Sequence, residues 1–242
     1  MRKAEILAAG KWTRMKELTR ELPKPLLPLE GKPLLEHVLD RLRTAGTTEV
    51  LLVIGHMGEL IRDAFRAYPL TIKYVVQETV TGTARAALLA RDFAGSDPFL
   101  LTYADILTEP ADYANMWRIV EEDPATEAVV GVKWVDDPFQ GAAVYVQEGS
   151  EDVVSRIQEK PPKGTSTTHW NSSGQYIFRP SIFEELEQVP LSSRGEYELT
   201  SAIEQFVAQG RRVRMYALAG AWRDVGRPED LPAAQRIVSG RE

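Results

Sequence analysis

The sequence predicts an α/β fold, a doubly wound and mixed but mostly parallel sheet, and three observations carry that prediction. Residues 4–8 form an apolar run that reads as a buried first strand, followed by Gly10, where a missing Cβ lets the backbone turn. Strand-like and helix-like patterns then alternate as far as Asp105, an order that implies parallel neighbours joined by right-handed crossovers. No internal repeat or linker interrupts the pattern.

The elements follow in order. Residues 33–45 carry Leu34, Leu35, Val38, Leu39 and Leu42 at helical spacing and stop at Gly46. Residues 49–54 are rich in β-branched side chains and read as a strand, 59–67 as a helix and Thr71–Val76 as a strand. An Ala- and Leu-rich helix is expected over 82–93, and a strand over 98–102 leading to Tyr103-Ala104-Asp105. Strands then dominate, at 128–135, Ala142–Val146, 153–158 and 175–178. A helix over 198–208, a strand over Arg212–Ala217 and a closing helix from Pro228 complete the reading. The polar loop from Lys160 to Thr168 is the longest turn-rich stretch.

Bulk properties bound the function. The 242 residues allow one large α/β domain or two small ones, and a single domain over residues 1–242 is the reading preferred. Hydrophobic residues make up 43% and charged residues 26%, enough for a substantial core. A net charge of −6 argues against a surface that coats nucleic acid, so an anion site must be a local basic pocket. No apolar run approaches the ~20 residues that cross a bilayer, and no signal-peptide pattern follows Met1. Zero cysteines remove thiolate chemistry, and a cytoplasmic protein is expected. The three histidines, His37, His56 and His169, lack the spacing of a zinc site.

No GxGxxG follows the first strand, and Gly10-Lys11 and Gly31-Lys32 both lack the P-loop frame. What remains is a glycine turn with two cations, Arg14 and Lys24, beyond the carboxyl end of the first strand, where open α/β sheets bind ligands. Backbone N–H groups and fixed positive charge there suit a polyphosphate. Gln77 carries an amide that can donate and accept at once, and taken alone a strand-end glutamine is unremarkable. Asp105 ends a strand with an oxygen ligand suited to Mg²⁺.

The run Leu7-Ala8-Ala9-Gly10-Lys11-Trp12-Thr13-Arg14-Met15, followed by Pro23-Lys24-Pro25-Leu26, resembles the signature of the sugar-1-phosphate nucleotidyltransferases, the NDP-sugar pyrophosphorylases. Ordered matches continue along nearly the whole chain. They are Gln77-Glu78 with Gly82-Thr83-Ala84, Ala104-Asp105, Glu159-Lys160-Pro161, Ser172-Ser173-Gly174-Gln175-Tyr176, and Trp222 to Leu231. Glu196 to Ser201 also matches and reads mainly as a helix start.

The resemblance implies a glycosyltransferase-A-like, Rossmann-like fold and a reaction that joins an NTP to a sugar-1-phosphate with release of pyrophosphate. It assigns Arg14, Lys24 and Asp105 to catalysis. Ala8, Ala9, Gly10, Gln77, Gly82 and Thr83 fall to the nucleotide, with UTP or dTTP favoured. Gly141, Glu159, Lys160 and Ser172 fall to the sugar phosphate, and Asp105 with Asp224 to Mg²⁺. The partners implied are the two substrates, with neither nucleic acid nor membrane, and homo-oligomerisation is left open. Lys16 matches no substrate position and reads as surface.

Five positions depart from the family's pattern: Ala104, Ser201 and Arg227 stand where it has glycine, aspartate and threonine, and Ser172 and Trp12 bear more directly on the site. Ser172 stands where the family has asparagine, and Asn171, one residue early in an extended segment, is expected to point to the other face. Trp12 stands at the second glycine of the loop, where a positive φ would strain it. Its indole either folds outward as a lid or fills the triphosphate site. The lid is slightly favoured, because a filled site would leave Arg14 and Lys24 without a partner. The alternatives are a catalytically weak nucleotide-sugar-binding or regulatory subunit, which Trp12 favours, and a nucleotidyltransferase acting on a non-sugar phosphate.

Overall fold

The computed structural model describes residues 1–10 and 12–240, without the side chains of Thr13 and Lys16, so Lys11 and the surface placement expected of Lys16 lie outside it. The chain runs β1 (Arg2–Ala8), β2 (Pro28–Leu29), β3 (Lys32–Pro33), α1 (Leu34–Thr44), β4 (Thr47–Ile54), α2 (Gly58–Ala64) and β5 (Thr71–Val76). Next come α3 (Thr83–Ala87), α4 (Arg91–Ala94), β6 (Phe99–Tyr103), β7 (Ile106–Thr108) and α5 (Pro110–Glu122). Strands β8 (Thr126–Trp134), β9 (Ala142–Val146), β10 (Val154–Glu159) and β11 (Trp170–Phe178) follow. The chain closes with α6 (Ile182–Gln188), α7 (Leu199–Ala208), β12 (Arg212–Ala217), β13 (Trp222–Asp224) and α8 (Leu231–Val238).

Two compact units share this chain. The first takes Met1–Val80, Thr102–Ala114 and Ala219–Glu242, and the second Thr81–Leu101 and Asn115–Leu218. In the first unit β1, β4 and β5 are parallel neighbours, with Ala8 opposite Ile54 and Ile54 opposite Val76. The three strands therefore end level, and the loops beyond them share one carboxyl edge. Helix α1 was legible because its apolar stripe is also its buried face: Leu34, Leu35, Val38, Leu39 and Leu42 are all fully buried. Each such leucine contributes roughly 1.5–3 kcal/mol by leaving water. A short hairpin joins β2 to β3 through Glu30 and Gly31, both with positive φ, as a tight two-residue turn requires.

In the second unit β11 is the hub, antiparallel to β8 and β9, with β10 antiparallel to β9 and β12 parallel to β8. The continuous buried run Ala128, Val129 and Val130 in β8 marks a strand covered on both faces. The sheet is thus mixed, as expected.

Three differences from the sequence reading have local causes. The helix expected over 82–93 is broken: α3 passes through a 3-10 turn at Leu88–Ala90 into α4. Helices α5 and α6 were not anticipated, although Tyr113, Met116, Trp117 and Val120 recur at helical spacing and are buried. The closing helix begins as a 3-10 turn, Pro228–Asp230, before α8.

Candidate active site

In the first unit, Ala8 and Ala9 are buried at the end of β1, and Gly10 stands half-buried beyond them. The 3-10 turn Thr13–Thr19 follows, and a second one, Lys24–Leu26, buries Lys24 to 2% exposure. The Lys24 Nζ ion-pairs with Asp105 Oδ2. Asp105 is placed by backbone bonds on both sides of it: Ala104 N–H donates to Leu7 O at 3.1 Å, and Asp105 O accepts Val225 N–H at 2.9 Å. That second bond extends the antiparallel pairing of β13 with β7, in which Asp224 lies opposite Ile106. A three-residue strand pair thus brings together two aspartates far apart in sequence.

The two carboxyls also interact electrostatically. Asp224 is exposed by area, yet partial desolvation by its surroundings, and then the charge of Asp105, push its carboxyl up to about 6, while Lys24 and exposed Arg14 pull it the other way. Two carboxylates and two cations therefore share one patch. A pair of aspartates suits an ion that keeps several waters and is held by few protein ligands, as Mg²⁺ is. Among the described residues no cluster of three metal-ligating side chains exists.

Gln77 leaves β5 with its N–H donating to Ile54 O at 2.8 Å. Its side chain is buried, and Nε2 has no hydrogen-bond partner among the described residues. A buried donor left open costs about 1–3 kcal/mol, which a ligand acceptor would recover.

The second unit holds the other candidates. Gly82 has φ 135°, and a Cβ built there would stand 2.3 Å from Tyr197 O. Tyr197 N–H donates to Thr81 O, and Ala84 N–H to Tyr197 O, each at 2.9 Å. The glycine is therefore required by a backbone crossing within the protein. Thr83 Oγ1 accepts the Leu199 N–H at 2.9 Å and so caps α7.

Glu159 ends β10 opposite Ala142 and accepts from Thr200 Oγ1 at 3.2 Å and Arg194 at 3.3 Å. Burial, foremost, raises its pKa, with Arg194 opposing. Lys160 is exposed, with φ 41°, and its N–H donates to Gly141 O at 2.7 Å. Gly141 N–H is itself taken by Pro138 O at 3.1 Å, so the backbone donor expected for a sugar is already engaged.

Ser172 shares a 2.7 Å hydroxyl bond with Tyr176, whose phenol feels the Glu159 charge. Asn171, by contrast, lies opposite Ala143 and packs its amide on Gly141, away from the face that carries Glu159. The opposite-face expectation therefore holds. Arg194 and Thr200 are the residues sequence reasoning missed. The available signal was a cation just before Gly195-Glu196-Tyr197, a segment read only as a helix start.

Trp12 adopts the left-handed conformation, φ 46° and ψ 33°, at a cost of roughly 1–2 kcal/mol. Its indole lies on Gly10: a Cβ built there would meet Nε1 at 3.1 Å and Cδ1 at 3.4 Å. Of the two cations on which the preference for an outward lid rests, Lys24 already has Asp105 as its partner.

Residues 3–240 match the Nucleotidyl transferase family model. The low-salt glycan biosynthesis nucleotidyltransferase Agl11 of Haloferax volcanii is 33% identical over 98% of this chain and 66% of its own length. The UTP–glucose-1-phosphate uridylyltransferase AglF of the same organism is 34% identical over 96% of this chain and 95% of its own. The chain spans about half the length of other curated relatives it matches, the bifunctional GlmU proteins of methanogens. A crystal structure of UDP-glucose pyrophosphorylase complexed with UDP-glucose superposes with a TM-score of 0.86 over 100% of both chains, at 22% identity, and so shares the fold. With a family model spanning nearly its whole length and a full-length relative at this identity, the chain belongs to the nucleotidyl transferase family.

Proposed function

We propose that this protein transfers a nucleotidyl group from an NTP to a sugar-1-phosphate, releasing pyrophosphate. The carrying observation is the patch in which Lys24 pairs with Asp105 while the Asp105 charge raises Asp224 beside Arg14. Two cations suit a leaving pyrophosphate, and two carboxylates suit Mg²⁺, which Asp105 and Asp224 would hold. Bound there, Mg²⁺ supplies charge neutralisation of the phosphates.

Arg14 and Lys24 would stabilise the negative charge that gathers on the departing pyrophosphate. Lys160 would hold the sugar phosphate as a point charge, with Glu159 accepting from sugar hydroxyls. A phosphate monoester has its second pKa near ~6, so the nucleophile is already ionised at neutral pH and no general base is needed. Positioning and charge then suffice.

The open, buried Gln77 Nε2 supports a pyrimidine imide base, and AglF, a uridylyltransferase by name, supports UTP. Hexose-1-phosphates are the expected acceptors. The test is pyrophosphate release over a matrix of the four NTPs plus dTTP against sugar-1-phosphates and phosphocholine. UTP or dTTP with a sugar-1-phosphate should turn over fastest, and a preference for GTP, CTP or phosphocholine would refute the assignment. A wild type that binds UTP but releases no pyrophosphate would favour a binding subunit, the reading that the indole on Gly10 supports.

A further inference from the structure

Trp12 stands at a glycine position of the loop proposed to bind phosphate, and its side chain lies against Gly10. Glycine at position 10 serves an anion because the missing Cβ leaves its Cα bare for close approach. In this chain the bared surface is not open. The pyrrole edge of Trp12 covers it, with Nε1, Cδ1 and Cε2 at 3.1, 3.4 and 3.6 Å from where a Cβ would stand.

The backbone of Trp12 is meanwhile pinned. Its carbonyl accepts the Met15 N–H at 2.9 Å and the Thr19 hydroxyl at 3.2 Å, so the left-handed conformation opens the Thr13–Thr19 turn. A strained backbone persists only where its surroundings over-determine it, and these two bonds hold the main chain of Trp12. Trp12 is half-exposed, so the indole has solvent on one side into which to rotate.

The geometry points to Trp12 as an internal occupant of the triphosphate loop, which an incoming nucleotide must displace by rotating the indole off Gly10. This rests on the nucleotidyltransferase reading and deepens it: the nucleotide binds against a competing side chain of the protein itself. The apparent affinity is then reduced by the fraction of molecules with the indole closed, and removing the indole removes that reduction.

The test compares wild type with Trp12→Asn and Trp12→Gly, both residues that accept positive φ, so the loop backbone keeps its conformation. UTP binding with Mg²⁺ is measured by calorimetry, and tryptophan emission is followed through the same titration. Both variants should bind UTP about three- to tenfold more tightly than wild type. The emission change seen in wild type should contain a component that both variants lack.

Equal or weaker UTP binding in Trp12→Asn and Trp12→Gly, with their thermal unfolding still cooperative, overturns the proposal while leaving nucleotide binding by wild type intact. So does an emission change in wild type that both variants reproduce in full. Failure of wild type and variants alike to bind any NTP would overturn the nucleotidyltransferase reading and this proposal with it.

Discussion

At the scale of single residues, the site is assembled from side chains whose environments fix their roles. Lys24 was legible because its Pro-Lys-Pro frame is distinctive, but its partner was not, since no local pattern links residue 24 to residue 105. Arg194 was invisible for the opposite reason: an isolated arginine in a loop reads as solvated charge until a carboxylate is seen against it. Lys160 carries both kinds of information, a cation at a matched position and a left-handed backbone at φ 41°. Lys160→Ala and Lys160→Gly should lose sugar-phosphate affinity alike, because both remove the ammonium. Lys160→Gly should be about 1 kcal/mol more stable than Lys160→Ala, because glycine alone relieves the positive φ. Urea unfolding alongside acceptor KM would separate the two effects, and equal stabilities would show that the backbone there is unstrained.

At the scale of elements, the sequence was most readable where one local period decides the outcome. Strands Thr71–Val76 and Arg212–Ala217 fall where alternation and turn signals put them. The pair β7 and β13 could not be anticipated, because three residues show no period and their partnership spans more than a hundred positions. Yet that pair places both aspartates. The crossing of Gly82 with Tyr197 is a similar long-range device, joining the start of α3 to the start of α7. Gly82→Ala would drive a Cβ into the Tyr197 carbonyl at a φ that only glycine takes comfortably. It should cost about 2 kcal/mol or more by denaturant unfolding, and a loss under 0.5 kcal/mol, roughly that of a surface change, would mean the crossing relaxes freely.

For the molecule as a whole, several acids shape stability against pH: the pKa of Glu159 is raised, those of Asp40 and Asp123 are lowered, and two more, those of Glu5 and Asp224, are raised. Glu5, in the middle of β1, is fully buried with no hydrogen-bond partner for either carboxylate oxygen among the described residues, and burial raises its pKa well above the usual range. Asp224 is pushed up to about 6. Both groups bind protons more tightly folded than unfolded, so the stability they contribute is complete below about pH 4, near their unfolded pKa values. It is lost as pH rises through the raised folded values, at up to about 1.4 kcal/mol per pH unit for buried Glu5 and by less for exposed Asp224, whose charge solvent screens. Glu5→Gln and Asp224→Asn should each flatten this decline and raise stability at pH 8. Mg²⁺ should stabilise wild type at pH 8 and stabilise Asp224→Asn far less, since only an ionised carboxylate holds the ion well. Thermal unfolding from pH 4 to 8, with and without Mg²⁺, reads all three, and a wild-type stability rising with pH across that window without Mg²⁺ would contradict the assignment. The central claim, that the Asp105 and Asp224 pair beside Lys24 and Arg14 performs nucleotidyl transfer, meets its most direct test in pyrophosphate release from UTP and a hexose-1-phosphate by wild type, Asp105→Asn and Asp224→Asn. Substitution by the isosteric amide should keep cooperative unfolding while lowering kcat at least about a hundredfold in each variant; near wild-type turnover in either one, at saturating Mg²⁺, would contradict it.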